Sequence, residues 1–438
     1  MDFNIKHLGV NKVDSPLFTR PLEKNYSSFV SDKKRMRYNI WINDNDTETF
    51  DNEQSFELAG PREKIHFTPA DTRIAIVTCG GLCPGLNDVI RSIVMESYYR
   101  YGVKSVLGIR YGYSGIQANT SSPPIELTPE IVENIHKEGG TILGSSRGGS
   151  DDKEAIVDNL LNLNVNILYT IGGDGTLKGA HDIAMIALKR GVDLAVIGIP
   201  KTIDNDISYI QRSFGFESAF SKAVDSIYTA HAEAKGAPNG IGLVKLMGRH
   251  SGFIAANATL AMSDVNFLLI PEVPFELQGT NGFLFHLSQR IKERKHAVVC
   301  VAEGAGQNLL KQSQENQKRD ASGNVVLEDI GIFIKNNIKK YFQEKNLEIN
   351  LKYIDPSYII RSTPACPNDS IFCTLLGQYA VHAGMSGKTD LIIGQWNNVY
   401  THVPIELAIS KRKQINPHSQ FWYNIIEATG QPINMLND

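Results

Sequence analysis

The sequence has no excess of positive charge. Its 44 lysines and arginines are outnumbered by 47 aspartates and glutamates, giving a net charge of −3. A polyanion-binding surface normally shows the opposite balance, so no nucleic-acid partner is expected. Long apolar runs are missing as well. No stretch reaches the roughly 18 apolar residues that cross a bilayer, so no membrane partner is expected either. The opening residues, Met1-Asp2-Phe3-Asn4-Ile5-Lys6, lack the apolar segment of a secretory signal. Met435-Leu436-Asn437-Asp438 carries no peroxisomal tripeptide. Cysteine is scarce and odd in number: Cys79, Cys83, Cys300, Cys366 and Cys373. Their spacings do not fit zinc pairs, so they read as reduced thiols that mostly pack. The composition, 42% hydrophobic and 21% charged, leaves a globular, cytoplasmic protein long enough for two or three domains.

Residues 1–70 read differently from the rest. Lys33, Lys34, Arg35 and Arg37 form a basic cluster, and residues 43–55 are mostly polar and acidic. This segment is expected to be an extension that packs on the outside, reaches a neighbouring subunit, or remains a partly disordered arm. From Arg73 the pattern becomes strand, Gly-rich turn, helix. Apolar runs recur at 74–77, 105–109, 165–171, 194–199, 240–246, 267–270, 297–302 and 391–393, most of them separated by helix-length segments such as 215–234. Runs without polar alternation suit parallel strands buried on both faces. Their alternation with helices predicts an α/β fold with right-handed crossovers.

Open parallel sheets bind ligands at the carboxyl ends of their strands, so the loops there matter most. The first is Gly80-Gly81-Leu82-Cys83-Pro84-Gly85-Leu86-Asn87, a tight turn at the positive end of the next helix. It is neither a Walker lysine motif nor G-x-G-x-x-G, and a simple turn explains it equally well. The second, Gly172-Gly173-Asp174-Gly175-Thr176, sets an acid among glycines. Glycines admit phosphate oxygens, and Asp174 could hold a metal; alternatively Asp174 caps a helix beginning near Leu177. The third is Pro200-Lys201-Thr202-Ile203-Asp204-Asn205-Asp206. In an extended loop, Asp204 and Asp206 would face one side. Like charges that close need a metal, a cation or a raised pKa, which suits a general base beside a bound phosphate. A helix-cap and turn cluster is the alternative. Arg147, at the end of a Gly/Ser-rich loop, and Arg249, in Met247-Gly248-Arg249, are candidate phosphate holders or ordinary surface charges. Glu303 follows another apolar run, and Tyr358 and Arg361 lie three apart. His250 is read as a surface residue.

Together these residues resemble the 6-phosphofructokinases. The resemblance runs from about Pro61 to Leu407. It rests on Gly-Gly-x-x-Pro-Gly-x-Asn at 80–87, Gly-Gly-Asp-Gly-Thr at 172–176, Thr-Ile-Asp-Asn-Asp at 202–206, Gly-Phe-x-Ser-Ala at 215–219, Met-Gly-Arg at 247–249 and Ala-Glu-Gly at 302–304. Ala59-Gly60-Pro61-Arg62 and Pro356-Ser357-Tyr358-Ile359-Ile360-Arg361 resemble the protist and plant branch, which holds ATP-dependent and pyrophosphate-dependent enzymes. The resemblance implies two Rossmann-like three-layer α/β lobes with mostly parallel sheets and the active site in the cleft between them. It places the donor lobe at 71–216 with 360–410, the fructose 6-phosphate lobe at 217–359 and a C-terminal segment at 411–438. Fructose 6-phosphate would be phosphorylated on its C1 hydroxyl. Asp204 would be the base, with Asp206 and Arg249 also catalytic. Asp174, with Asp206 nearby, would organise Mg2+ on the donor phosphates. Gly81, Arg147, Gly172, Gly173, Asp174, Gly175, Thr176 and Lys201 would hold the donor. Thr202, Ile203, Asp204, Met247, Gly248, Arg249, Glu303, Lys352, Tyr358 and Arg361 would hold the sugar phosphate. A homotetramer or homodimer is implied.

The donor is read from two residues. In the family, pyrophosphate users carry an aspartate after Asp174, whose bulk and charge would oppose the α-phosphate of a nucleotide; here that residue is Gly175. Lys201 points the other way, since pyrophosphate users carry lysine at its position and typical bacterial ATP enzymes carry glycine. Exclusion by an aspartate should outweigh one cation, so ATP is the expected donor and pyrophosphate the alternative. A non-catalytic regulatory subunit would be expected to lose the acids, and Asp174, Asp204 and Asp206 are all present.

Overall fold

The computed structural model describes residues 1–18, 29–41, 54–117, 120–149, 151–310 and 326–437. Most of the acidic run at 43–55 lies outside these residues. By their contacts the residues fall into two units. Unit 1 is Met1–Thr202, Ile207–Gly215 and Ser362–Lys411; unit 2 is Ile203–Asp206, Phe216–Arg361 and Arg412–Asp438.

Unit 1 is built on a nine-stranded sheet. From one edge its order is Arg35–Arg37, Ser55–Leu58, Val399–Pro404, Leu391–Trp396, Ala195–Pro200, Ile167–Gly172, Arg73–Thr78, Ser105–Ile109 and Ile125–Glu126. The five strands from Leu391–Trp396 to Ser105–Ile109 run parallel, while the flanking pairs are antiparallel. Every residue of Ile167–Gly172 and Ala195–Pro200 is buried, as expected of strands covered on both faces. The helices Asp174–Arg190 and Pro367–Met385 pack on both strands, and Leu86–Met95 packs on Pro367–Met385.

The described part of the N-terminal segment is not an outer extension. It adds two strands to the sheet edge, and Phe3 and Phe56 are buried in the core of unit 1. Arg35, one of the basic cluster, donates through Nε to Ser55 Oγ at 2.8 Å and through Nη2 to the Phe3 carbonyl at 3.1 Å. Two buried rings and a satisfied guanidinium explain the integration: apolar area leaves water, and no polar cost remains.

Unit 2 carries a four-stranded, fully parallel sheet in the order Phe267–Leu269, His296–Ala302, Gly240–Leu246, Asn350–Ile354. Its core gathers Leu243, Phe267, Val299, Phe283, Ile334 and Phe342. Residues 412–438 belong to this unit, and Met435 joins its core. The five cysteines are unbridged, four of them buried. No described helix is long and apolar enough to cross a membrane.

Candidate active site

In unit 1 the three strands Arg73–Thr78, Ile167–Gly172 and Ala195–Pro200 end side by side, because they pair in register. Their three loops therefore share one edge of the sheet. The Lys201 side chain is buried, and its ammonium donates to the Gly81 carbonyl at 2.5 Å. Gly80 adopts φ +87°, a region glycine enters without strain. The Gly80 N–H donates to the Ser146 carbonyl at 2.8 Å, and Ser145 Oγ donates to the Gly80 carbonyl at 2.7 Å. The loop carrying Arg147 is thus tied to the loop carrying Gly81, while Arg147 itself is exposed.

Asp174 corrects one expectation. The helix begins at Asp174, not near Leu177, with Gly173 as its cap and no capping side chain. Asp174 is therefore a first-turn acid, favoured by the helix dipole. Its Oδ2 accepts from Lys178 Nζ at 3.0 Å, and its side chain keeps 27% exposure. Gly172 is required locally, since a Cβ there would collide with Thr176. Gly175 is not: a Cβ there meets nothing within 4 Å. Among the described residues no group of three His, Cys, Asp or Glu could hold a metal. Kinase-type Mg2+ instead sits on substrate phosphates with one or two protein carboxylates, and Asp174 fits that donor set.

In unit 2 the acid loop is a turn rather than an extended stretch: Asn205 has φ +53°, so period-two alternation does not apply. Proximity of the acids survives by another route. Asp204 keeps some exposure as a residue, but its Oδ1 is shut off from solvent. Burial, then the charges of Asp206 and Glu303, push its pKa up to about 7, against the Arg249 N–H and the Arg361 guanidinium, which favour the anion. Burial also raises Glu303, opposed by Arg249, Arg361 and Lys245. The structure therefore brings together Asp204, Asp206, Arg249, Glu303 and Arg361. Strand ends place them: the Glu303 N–H donates to the Leu246 carbonyl at 2.9 Å, and the Gly304 N–H to the Gly248 carbonyl at 3.0 Å. Met247 and Ile203 are buried; Gly248 takes φ +129°, where a Cβ would strike the Ser251 carbonyl. Thr202, half-buried at the end of unit 1's segment, accepts through its carbonyl from Ser213 Oγ at 2.6 Å.

Two expected sugar-phosphate residues, Lys352 and Tyr358, are more open to solvent. Lys352 is on the edge strand Asn350–Ile354 and pairs with Glu233 at 3.7 Å. Tyr358 is 85% exposed, on the short helix Ser357–Ser362 that also carries Arg361. Sequence reading missed Arg412 and Lys413, which close on Asp206 from 206 and 207 positions away. The trio Lys411-Arg412-Lys413 was visible, but no local pattern joins it to an acid so distant in the chain.

Unit 2 holds an enclosed acid of raised pKa beside arginines, and unit 1, taken by itself, holds a Gly-rich acid loop at a helix N-terminus; each is a feature of phosphoryl-transfer proteins. Residues 73–384 match the phosphofructokinase family model, and the chain belongs to the phosphofructokinase family. It is 48% identical to the ATP-dependent 6-phosphofructokinase of Borreliella burgdorferi, over 100% of this chain and 98% of that one. It is also 48% identical to ATP-dependent 6-phosphofructokinase 5, chloroplastic, of Arabidopsis thaliana, over 87% of this chain and 70% of the relative. Among solved structures, Pichia pastoris phosphofructokinase in the T-state shares the fold with a TM-score of 0.65 at 22% identity, over 82% of this chain and 37% of that chain.

Proposed function

We propose that this chain is an ATP-dependent 6-phosphofructokinase of the plant and protist type, transferring the γ-phosphoryl of ATP to the C1 hydroxyl of fructose 6-phosphate. The observation that carries the reading is Asp204: a carboxylate inside unit 2, held near neutrality by burial and two neighbouring acids, with two arginines at hand. Asp204 accepts the C1 hydroxyl proton as that oxygen bonds to the γ-phosphorus, and ADP leaves. A base works best with a pKa near the working pH. Arg249 and Arg361 balance the acids and offer planar forks for phosphate. Met247, Gly248, Thr202, Ile203, Glu303, Lys352 and Tyr358 are the further residues assigned to the sugar phosphate, and the enzyme is proposed to act as a homodimer or homotetramer.

In unit 1, Gly81, Arg147, Gly172, Gly173, Gly175 and Thr176 hold the donor phosphates, and Asp174 would hold Mg2+. The ion, when bound, neutralises charge on the donor phosphates. Lys201, anchored on the Gly81 carbonyl, adds a fixed positive charge to that loop cluster. Gly175 supports ATP, since the space around it is open and its absence of a side chain serves no packing need. Lys201 favours the second reading, a pyrophosphate-dependent enzyme. Purified protein with fructose 6-phosphate, Mg2+ and either ATP or pyrophosphate decides between them. Fructose 1,6-bisphosphate formed with ATP is expected; formation with pyrophosphate alone overturns the first reading. The enzyme is proposed to act in the cytoplasm.

A further inference from the structure

Asp206 is gripped from the far end of the chain. Arg412 Nη1 donates to Asp206 Oδ2 at 2.8 Å, and the Lys413 N–H donates to the Asp206 carbonyl at 2.8 Å. The next two residues tie down the neighbouring loop. Gln414 Nε2 donates to the His250 carbonyl at 2.9 Å, and the Ile415 N–H donates to Glu272 Oε1 at 3.0 Å. Both oxygens of Glu272 also accept from the Gly252 N–H at 3.0 Å. Ser251 Oγ closes the circuit by donating to the Asp204 carbonyl at 2.9 Å. Four consecutive residues, 412–415, are thus fastened to both the acid loop and the loop at 250–252, all within unit 2.

The contact from Arg412 to the Asp206 side chain is an ion pair. That side chain is 10% exposed, and Arg412 is 36% exposed. An enclosed carboxylate is costly without a cation, and the acid loop also carries the left-handed residue Asn205, a conformation that surroundings must hold in place. We propose that Arg412 is a positioning residue for phosphoryl transfer: it fixes the Asp206 carboxylate, and with residues 413–415 it holds the turn that presents Asp204 to the acceptor hydroxyl. The inference rests on the reading of Asp204 as the base. A direct hold on a substrate phosphate is the competing role for an arginine this exposed, and the two roles separate kinetically. A substrate-holding arginine would act through KM; a positioning one acts through kcat.

The experiment compares wild type, Arg412→Met and Arg412→Lys as full-length protein, at saturating ATP and Mg2+ with fructose 6-phosphate varied. Thermal melts confirm folding, and Arg412→Gln replaces the Met variant if that one does not fold. Arg412→Met is expected to lose about 10- to 100-fold in kcat, the scale of a reacting group misplaced by an ångström. Its KM for fructose 6-phosphate should stay within about threefold of wild type, and Arg412→Lys should regain most of the loss. The proposal is overturned by a Met variant with wild-type kcat, by a loss carried in KM, or by a Lys variant no better than Met. Wild-type protein that makes no fructose 1,6-bisphosphate sinks the functional reading and the proposal with it. An active wild type beside an unaffected Met variant sinks the proposal alone.

Discussion

Asp174 and Asp204 both come after a fully buried parallel strand and a turn, yet they end in opposite settings. Asp174 opens a helix, keeps a quarter of its side-chain surface and faces a lysine one turn on. Asp204 turns inward, loses solvent at Oδ1 and sits with two further acids. Similar sequence punctuation therefore yields a solvated carboxylate suited to a hydrated metal and an enclosed carboxylate suited to a proton. The difference lies in the residues immediately C-terminal to each acid: helix N–H groups and Lys178 after Asp174, a left-handed Asn205 and a second acid after Asp204.

The largest effect expected from breaking this contrast is at Asp204. Asp204→Asn removes the proton acceptor and nearly keeps the shape, so kcat should fall by about 10²- to 10⁴-fold, with a KM for fructose 6-phosphate changed only modestly. Steady-state kinetics of the purified variant measures both; a kcat within a few-fold of wild type would remove Asp204 as the base. Next is the donor side. Gly175→Asp adds bulk and charge where the fold leaves space, so kcat/KM for ATP should drop by about 10- to 100-fold, equivalent to roughly 1.4–2.7 kcal/mol of transition-state stabilisation. The melting temperature should hold within a few degrees, because no neighbour has to move. Intact ATP turnover in this variant would dissolve the steric argument for the donor.

The smallest effect is on stability. Asp204's pKa is raised in the folded protein, so folding favours its protonated form. Stability from this group is present at low pH and is lost as pH climbs from the unfolded value through the folded one. Asp204→Asn should therefore melt above wild type at pH 8, with the gap closing toward pH 4–5. Calorimetric or fluorescence melts across that range test it, and a variant that melts lower at pH 8 would contradict the sign. One substitution is thus expected to damage catalysis and help the fold, as befits a strained functional acid.

Much of the framework was legible because it is local. Residues 105–109 and 240–246 are strands with the expected bounds, and the helix expected at 215–234 runs Phe216–Lys235. The motif residues of both loops were legible for the same reason: a short acid or glycine signature at a strand end survives without knowledge of the rest. What escaped is long-range. Nothing near Phe3 says that it packs on Phe56 at a ring separation of 5.1 Å. Nothing near Arg412 points to Asp206. The turn at Asn205 escaped for another reason, since asparagine tolerates left-handed backbone without requiring it, and the contacts of 412–415 and Ser251 surround the choice.

The most direct test is the pH dependence of kcat/KM for fructose 6-phosphate, measured with ATP for wild type and Asp204→Asn side by side. Any limb due to ionisation of the substrate appears in both profiles and drops out of their ratio. The account predicts a wild-type acid limb in the neutral range that the variant lacks, so the ratio of wild type to variant should fall about tenfold per pH unit below it. A ratio constant from pH 5 to pH 8 would contradict the assignment of the buried acid in unit 2 as the group that takes the proton.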